Sequence, residues 1–200
     1  EVFEKALFTI LRTETPITGA GRTDTGVHAR LMVAHIDVEK PFSDLNTFVV
    51  KLNSLLPKDI AVSKIVEVQP EAHARFDAIS RTYEYHVVFN KDVFSHDFAM
   101  RLYSVPDFNL MNKAAEILKE YTDFTSFSKL HTDVKTNNCR IMKAEWSWNE
   151  NAAVFIIEAD RFLRNMVRAI TGTLLEVGKG KMTLEEFRRV IELKDRCKAG

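Results

Sequence analysis

The sequence predicts an α+β fold in which helices flank a largely antiparallel, mixed sheet. Amphipathic helices and alternating strands follow one another irregularly, and neighbouring strands are joined by short turns such as Asn149–Asn151. A doubly wound parallel sheet would instead show strands and helices in regular alternation. The 200 residues suit one domain, or two subdomains that share a sheet, with a substantial buried core.

The first half of the chain shows helical periodicity twice and strand-like segments twice. Pro16 and Pro57 mark the ends of the two helices, because proline cannot continue a helix. The predicted elements are a helix over residues 1–13, a strand over 31–38, a helix that begins after Ser43 or Asp44 and ends before Pro57, and a short strand over 65–68.

The second half carries a similar order of elements, which agrees with two related halves. Thr183 and Glu186 have the spacing of a capping box, which predicts the start of the last helix. The other predicted elements are a strand over 82–89, a helix over 110–121, an antiparallel pair of strands over 141–148 and 153–159, and a helix over 162–177.

Charge and cysteine content bear on the class of protein. Lys plus Arg and Asp plus Glu both total 28, so the formal net charge is zero, whereas nucleic-acid binders usually have a basic excess. A locally basic groove is still possible, because several arginines cluster near the motifs described below. Cys139 and Cys197 form no CxxC pair and the histidines are scattered, so we expect no metal. No apolar run approaches the ~18–20 residues of a membrane span, and no signal peptide is visible.

A glycine-rich loop over residues 19–29 reads GAGRTDTGVHA and places the carboxylate of Asp24 between the cation of Arg22 and the imidazole of His28. By residue type alone, an exposed Asp-Thr-Gly turn is the simplest interpretation. A phosphate-binding loop is disfavoured because the dinucleotide and P-loop spacings are absent. An aspartic protease needs two carboxylates that share a proton, so a single triplet would require a symmetric dimer.

Two further stretches combine aromatic and basic residues. Residues 73–78 read HARFDA and precede RTYEY at 81–85, while residues 162–168 read FLRNMVR and precede GTL at 172–174. By residue type alone, Tyr83 and Phe76 are interpreted as packing residues. Arg164 and Arg168 lie four residues apart on a predicted helix, so they would project together toward a carboxylate or a phosphate.

Taken in order, these motifs resemble the signature of the TruA family of tRNA pseudouridine synthases, as does DFTSF at residues 123–127. The resemblance covers nearly all of the chain. It implies the pseudouridine synthase fold, with two pseudo-symmetric α/β subdomains, residues 1–70 and 71–200, that form one catalytic domain with the active site in the cleft between them. The first subdomain carries the Asp24 loop and is expected to lack its first strand, and the second is expected to lack its last strand.

The resemblance also implies roles for individual residues. Asp24 is implied as the catalytic nucleophile and Arg168 as its carboxylate partner. Arg22 is implied to grip RNA or to hold the place of the flipped nucleotide, and the roles of the two arginines could be exchanged. Tyr83, the first tyrosine of the Tyr-x-Tyr pair, is implied to stack on the target base. The other implied substrate-binding residues are Thr23, His28, His73, Arg75, Phe76, His131, Lys135 and Arg164, with Lys135 standing where relatives often have arginine.

The implied reaction is isomerisation of uridine to pseudouridine at positions 38, 39 and 40 of the tRNA anticodon stem-loop, by a cytoplasmic homodimer. The reaction breaks the bond between base and ribose and rejoins the base through carbon. Because it consumes nothing, we expect no cofactor and no metal. Two alternatives remain: an RNA-binding module that keeps the fold without catalysis, and a single-triplet aspartic protease. An activity assay distinguishes them.

Overall fold

The computed structural model describes residues 1–129 and 135–200, and the chain forms two compact units, Glu1–Ala78 and Ile79–Gly200. In the first unit, helices α1 (Val2–Leu11) and α2 (Leu45–Leu55) pack against each other around a small apolar core. Leu7 of α1 and Leu52 of α2 are fully buried in that core. Both predicted helices are therefore confirmed, and their amphipathic faces meet as the periodicity indicates.

Helix α2 begins at a well-formed cap. The Asp44 carboxylate accepts hydrogen bonds from the backbone N–H groups of Asn46 and Thr47, at 2.9 and 3.2 Å. A hydrogen bond from the Thr47 hydroxyl, together with these backbone bonds, keeps the pKa of the Asp44 carboxyl below its usual value. Of the two residues that the sequence offered as caps, Asp44 is the one that the fold uses.

The strand predicted over 31–38 is mostly irregular. Strands β1 (Thr18–Gly19) and β2 (Ala34–His35) form a short antiparallel pair, and Ala20 N–H adds one bond to the Val33 carbonyl. A strand extends only as far as its partner does, and β1 offers two residues. The pair is nonetheless important, because it closes the base of the loop that carries Asp24.

The strand predicted over 65–68 is wrong: that segment belongs to no strand. No described strand pairs with it, and the side chains of Val66 and Val68 are exposed. Just upstream, Val62 forms its backbone hydrogen bonds with a side chain instead of a neighbouring strand. The Asn53 amide donates to the Val62 carbonyl at 2.8 Å and accepts from the Val62 N–H at 2.7 Å. The two valines therefore suggested a strand for a segment that pairs with no described strand.

The second unit is built on a four-stranded sheet of order β4-β3-β6-β5. The pairs β3–β6 and β6–β5 are antiparallel and the pair β3–β4 is parallel, which confirms a largely antiparallel, mixed sheet. Strand β4 was not predicted, because two residues are too few to show alternation. The strands are β3 (Arg81–Val88), β4 (Met100–Arg101), β5 (Ile141–Trp148) and β6 (Ala152–Ala159).

Three helices accompany this sheet: α3 (Phe108–Ile117), α4 (Met166–Gly178) and α5 (Leu184–Glu192). Helix α3 lies against both β5 and α4, and a short 3₁₀ turn continues it to Glu120. The capping box is confirmed, since the Thr183 hydroxyl accepts from the Glu186 N–H and the Glu186 carboxylate accepts from the Thr183 N–H. None of the helices within residues 1–129 and 135–200 is long and apolar enough to cross a membrane.

Helix α4 begins four residues later than the sequence predicts. Asn165, immediately before it, has φ 66°, in the left-handed region that ends regular helical structure. Residues 162–165 therefore lead into the helix without being part of it. The expectation that Arg164 and Arg168 project together from one helix is wrong, because only Arg168 lies on α4.

The end of α4 approaches α3 too closely for any side chain larger than hydrogen. A Cβ at Gly178 would lie 2.7 Å from Cγ of the buried Met111 and 2.9 Å from Cβ of Pro106. We expect Gly178→Ala to lower the free energy of unfolding by about 1–3 kcal/mol through overpacking, measured by urea denaturation. Met111→Ala in the same chain should remove part of that cost. A double variant whose loss equals the sum of the two single losses would contradict this account.

The two cysteines differ in accessibility. Cys139 is 2% exposed, and burial raises the pKa of its thiol to about 11, whereas Cys197 is exposed. A thiol with a raised pKa stays protonated at pH 8 and reacts poorly. We expect a thiol reagent at pH 8 to modify one cysteine of the folded protein, and to modify the second only after denaturation. Cys197→Ser should remove the fast reaction, and a fast reaction that persists in this variant would contradict the assignment.

Candidate active site

Asp24 lies on the loop that β1 and β2 close at its base. The Asp24 carbonyl accepts a hydrogen bond from Val27 N–H at 3.2 Å, and Gly26 within this turn has φ 81°. Only glycine takes up this left-handed conformation at little cost, which explains the glycine two residues after the aspartate. The Asp24 side chain is partly buried while Arg22 and His28 are exposed. The loop therefore holds a carboxylate in a sharp turn, with basic side chains in solvent on both sides of it in the sequence.

A second candidate segment is the tight turn over residues 73–77. The carbonyl of His73 accepts from the N–H groups of Phe76 and Asp77 at 3.1 and 3.0 Å, and the Asp77 carboxylate accepts from the His73 N–H at 2.7 Å. The His73 ring nitrogen Nδ1 accepts from the N–H groups of Arg75 and Phe76 at 3.2 and 3.3 Å. His73 thus shapes the turn that carries Arg75 and Phe76.

Phe76 is not a core residue, so its interpretation from residue type as a packing residue is wrong. Its side chain is 76% exposed, and its ring stacks on the His73 ring with 4.1 Å between centroids. Arg75, one residue earlier, is also exposed. The turn therefore presents a cation and an aromatic face side by side to solvent, a combination that suits a nucleic-acid backbone and base.

His35, which belongs to none of the motifs picked out in the sequence, lies against this turn in the structure. His35 Nδ1 accepts a hydrogen bond from Ala74 N–H at 3.1 Å, and the His35 and His73 rings meet edge to face with 4.8 Å between centroids. The two residues of the hydrogen bond are 39 positions apart in the chain. No local pattern in the sequence signals a contact of this kind.

In the second unit, Tyr83 occupies the middle of β3, directly opposite Ile157 on β6. Its ring is partly buried and meets the ring of Phe162 edge to face, at 5.1 Å and an interplanar angle of 89°. Thr82 and Glu84 on either side are exposed, as strand alternation predicts. Tyr83 is therefore held at the margin of the apolar core by an aromatic contact, with part of its surface accessible.

The candidate RNA-binding residues Arg168, Arg164 and Lys135 of the second unit lie on three different segments. Arg168 is exposed in the first turn of α4, and Arg164 is exposed just before that helix, where its carbonyl accepts from Lys129 N–H at 3.0 Å. Lys135 is exposed at the start of the segment that leads to β5. His131 lies outside the described residues. In the parts of the chain that are described, no three His, Cys, Asp or Glu side chains are arranged to hold a metal ion.

The stretch at 123–127, which resembles the family, lies in the core of the second unit. Phe124 and Phe127 are fully buried, and the Ser126 hydroxyl donates to the Val190 carbonyl at 2.6 Å. The Asp123 carboxylate lies 2.8 Å from the Lys194 ammonium, which keeps the pKa of that carboxyl below its usual value together with bonds from Thr125. These contacts give the stretch a structural role, which is to hold α5 and the residues after it against the core of the second unit.

Comparison with known proteins agrees with the motifs. The family described as tRNA pseudouridine synthase matches residues 114–200. The chain is 63% identical over 197 residues to tRNA pseudouridine synthase A of Parabacteroides distasonis, an alignment that covers 98% of this chain and 78% of that protein. It is 57% identical to the protein of the same name from Bacteroides fragilis, with 100% and 80% covered. For the one from Bacillus pumilus the identity is 39%, with 92% and 75% covered.

The family model lies within the second unit, whereas the alignments with the first two relatives cover both units. Identities of 63% and 57% over nearly the whole chain, with about four fifths of each relative covered, show the family. The chain belongs to the TruA family of tRNA pseudouridine synthases.

Proposed function

We propose that the protein isomerises uridine to pseudouridine in tRNA. The proposal is carried by the 63% identity to a tRNA pseudouridine synthase A over 98% of the chain. The partly buried carboxylate of Asp24, held in a glycine-dependent turn, supports it as a candidate nucleophile. A carboxylate is ionised near neutral pH in water, so it is ready to attack an electrophilic carbon without a cofactor.

Asp24 acts as the nucleophile in this proposal. The bond between N1 of uracil and C1′ of ribose breaks, and a bond between C5 and C1′ forms. C5 loses its proton and N1 gains one, so atoms and electrons balance without an oxidant or a second substrate. Asp24 attacks either the base or the ribose, and in both cases it is released when the new bond is complete.

The target nucleotide sits in a stacked stem, so it must leave the helix to reach the carboxylate. Extrusion costs a few kcal/mol, and stacking on an aromatic side chain returns about 1–3 kcal/mol. Tyr83 is assigned to this stacking. Its edge-to-face contact with Phe162 would fix the ring plane before the base arrives, which supports the assignment.

Arg168 is assigned as the cationic partner of Asp24, and Arg22 as a phosphate contact. Both side chains are exposed, so each could reach an anionic group. The two assignments differ in kinetics: Arg168→Ala should lower kcat, and Arg22→Ala should raise the KM for tRNA. The opposite pattern would exchange the two roles.

The substrate is proposed to be the anticodon stem-loop, with uridines 38, 39 and 40 as targets. The other proposed RNA contacts are Thr23, His28, His73, Arg75, Phe76, His131, Lys135 and Arg164. A protein of zero net charge can bind RNA if its basic groups are concentrated locally, since shape and phosphate contacts dominate recognition of a folded RNA. A cytoplasmic homodimer is the proposed form of the enzyme.

The two subdomains, 1–70 and 71–200, are proposed to be pseudo-symmetric parts of one catalytic domain. A repeated structural detail supports this: each unit has a helix asparagine whose side-chain amide forms hydrogen bonds with both the N–H and the C=O of one residue outside its helix. Asn53 of α2 does so with Val62, and Asn112 of α3 does so with Trp146.

The experiment is an isomerisation assay with the protein and an unmodified tRNA labelled with tritium at C5 of uridine. Pseudouridine formation releases the label to water, and the modified positions are then mapped. A matched tRNA with cytidine at 38, 39 and 40 is the control. Release from the first tRNA alone supports the proposal. Release from both would move the target elsewhere in tRNA, and tight binding without release would indicate an RNA-binding module.

A further inference from the structure

We propose that His35 is a positioning residue that ties the hairpin of the Asp24 loop to the turn that presents Arg75 and Phe76. Its kinetic test rests on the proposed function, whereas its structural test does not. His35 belongs to β2, where it pairs with Thr18 of β1. It is therefore anchored at the base of the loop that carries the candidate nucleophile.

The contact between His35 and the turn has a defined chemistry. Nδ1 of His35 accepts from Ala74 N–H at 3.1 Å, and a ring nitrogen accepts only when it has no proton. The neutral ring must therefore have its proton on Nε2. The same holds for His73, whose Nδ1 accepts from two N–H groups of the turn. Two neutral imidazoles in edge-to-face contact thus organise three consecutive backbone amides, those of residues 74–76.

The turn is joined to β2 by a long-range hydrogen bond. Arg75, Phe76 and Asp77 are exposed, so burial of apolar surface contributes little to its order. The bond to His35 is long-range and links the turn to hydrogen-bonded strand structure. Without it, the turn would keep its internal bonds but be held less firmly against β2.

A fixed turn lowers the cost of binding. When Arg75 and Phe76 are already in place, less conformational freedom is lost as they contact RNA. The turn of the Asp24 loop and the pairing of β1 with β2 use backbone groups, so neither needs the His35 ring. The loss of the His35 acceptor should therefore weaken tRNA binding and leave the chemical step nearly unchanged.

The test compares His35→Leu with His35→Asn, two side chains of similar size. The Oδ1 atom of asparagine can replace Nδ1 as an acceptor, whereas leucine has none. We expect His35→Leu to raise the KM for tRNA about tenfold, because the net free energy of one hydrogen bond corresponds to about that factor in binding. The kcat should stay within about twofold of the wild type. His35→Asn should stay within about twofold of the wild type in both. His96→Ala, at an exposed histidine of the second unit, is the control.

Hydrogen exchange gives a readout that needs no RNA. The amide of Ala74 should exchange slowly in the wild type and in His35→Asn, and markedly faster in His35→Leu. Unchanged exchange and unchanged KM in His35→Leu would overturn the inference, as would equal impairment of both variants. If the wild type makes no pseudouridine, the proposed function fails, while exchange at Ala74 still decides the role of His35.

Discussion

Replacing Asp24 by asparagine should abolish pseudouridine formation while the protein remains folded. Asparagine has nearly the same shape, and the turn at Asp24 uses its backbone carbonyl and Gly26, so the loop should persist. What disappears is the negative charge and the nucleophilic oxygen. Removal of a catalytic nucleophile usually costs several powers of ten, so we expect a loss of about 10⁴-fold or more in kcat. The measurement is tritium release under single-turnover conditions.

The control for this prediction is Asp59→Asn, because Asp59 is an exposed aspartate of the same unit. It should retain wild-type activity. The circular dichroism spectrum and tRNA affinity of Asp24→Asn should match the wild type, which separates loss of chemistry from loss of fold. A kcat within tenfold of the wild type would keep the enzyme class and remove Asp24 from the role of nucleophile.

Replacing Asn112 by alanine should cause the largest loss of stability that a single polar contact explains. The Asn112 amide donates to the Trp146 carbonyl at 3.0 Å and accepts from the Trp146 N–H at 2.7 Å. Trp146 is 3% exposed, so water cannot replace these bonds. Two buried backbone groups left without partners should lower the free energy of unfolding by about 2–4 kcal/mol, measured by urea denaturation.

This contact also protects the sheet. Strand β5 is at one edge of the four-stranded sheet, and an uncovered edge can pair with another chain. Asn112→Ala should therefore also aggregate more readily at high protein concentration. Asn109→Ala, at an exposed position of the same helix, is the matched control and should change stability by less than about 0.5 kcal/mol. Equal urea midpoints for the two variants would refute the assignment.

The candidate site was predicted in part. Three motifs pointed to Asp24, Tyr83 and the arginines through their resemblance to the family signature, whereas residue type alone assigned Tyr83 to packing. The sequence could not reveal the role of His35, since its partner Ala74 is 39 residues away. It also misjudged Phe76, because an aromatic residue is buried or exposed according to what the rest of the chain places around it.

The sequence by itself determined the helices, the two long antiparallel strands, the capping box at Thr183 and the turn that holds Asp24. These features depend on the spacing of apolar residues, on hydrogen bonds that cap helices and on the backbone conformations open to glycine. All three act between residues a few positions apart. Tertiary structure alone decided the two-residue strand β4, the late start of α4 and the failure of a strand at 65–68. A strand exists only where another backbone supplies hydrogen bonds, and the turn at Asn165 depends on how the chain enters the core; neither is encoded in local pattern.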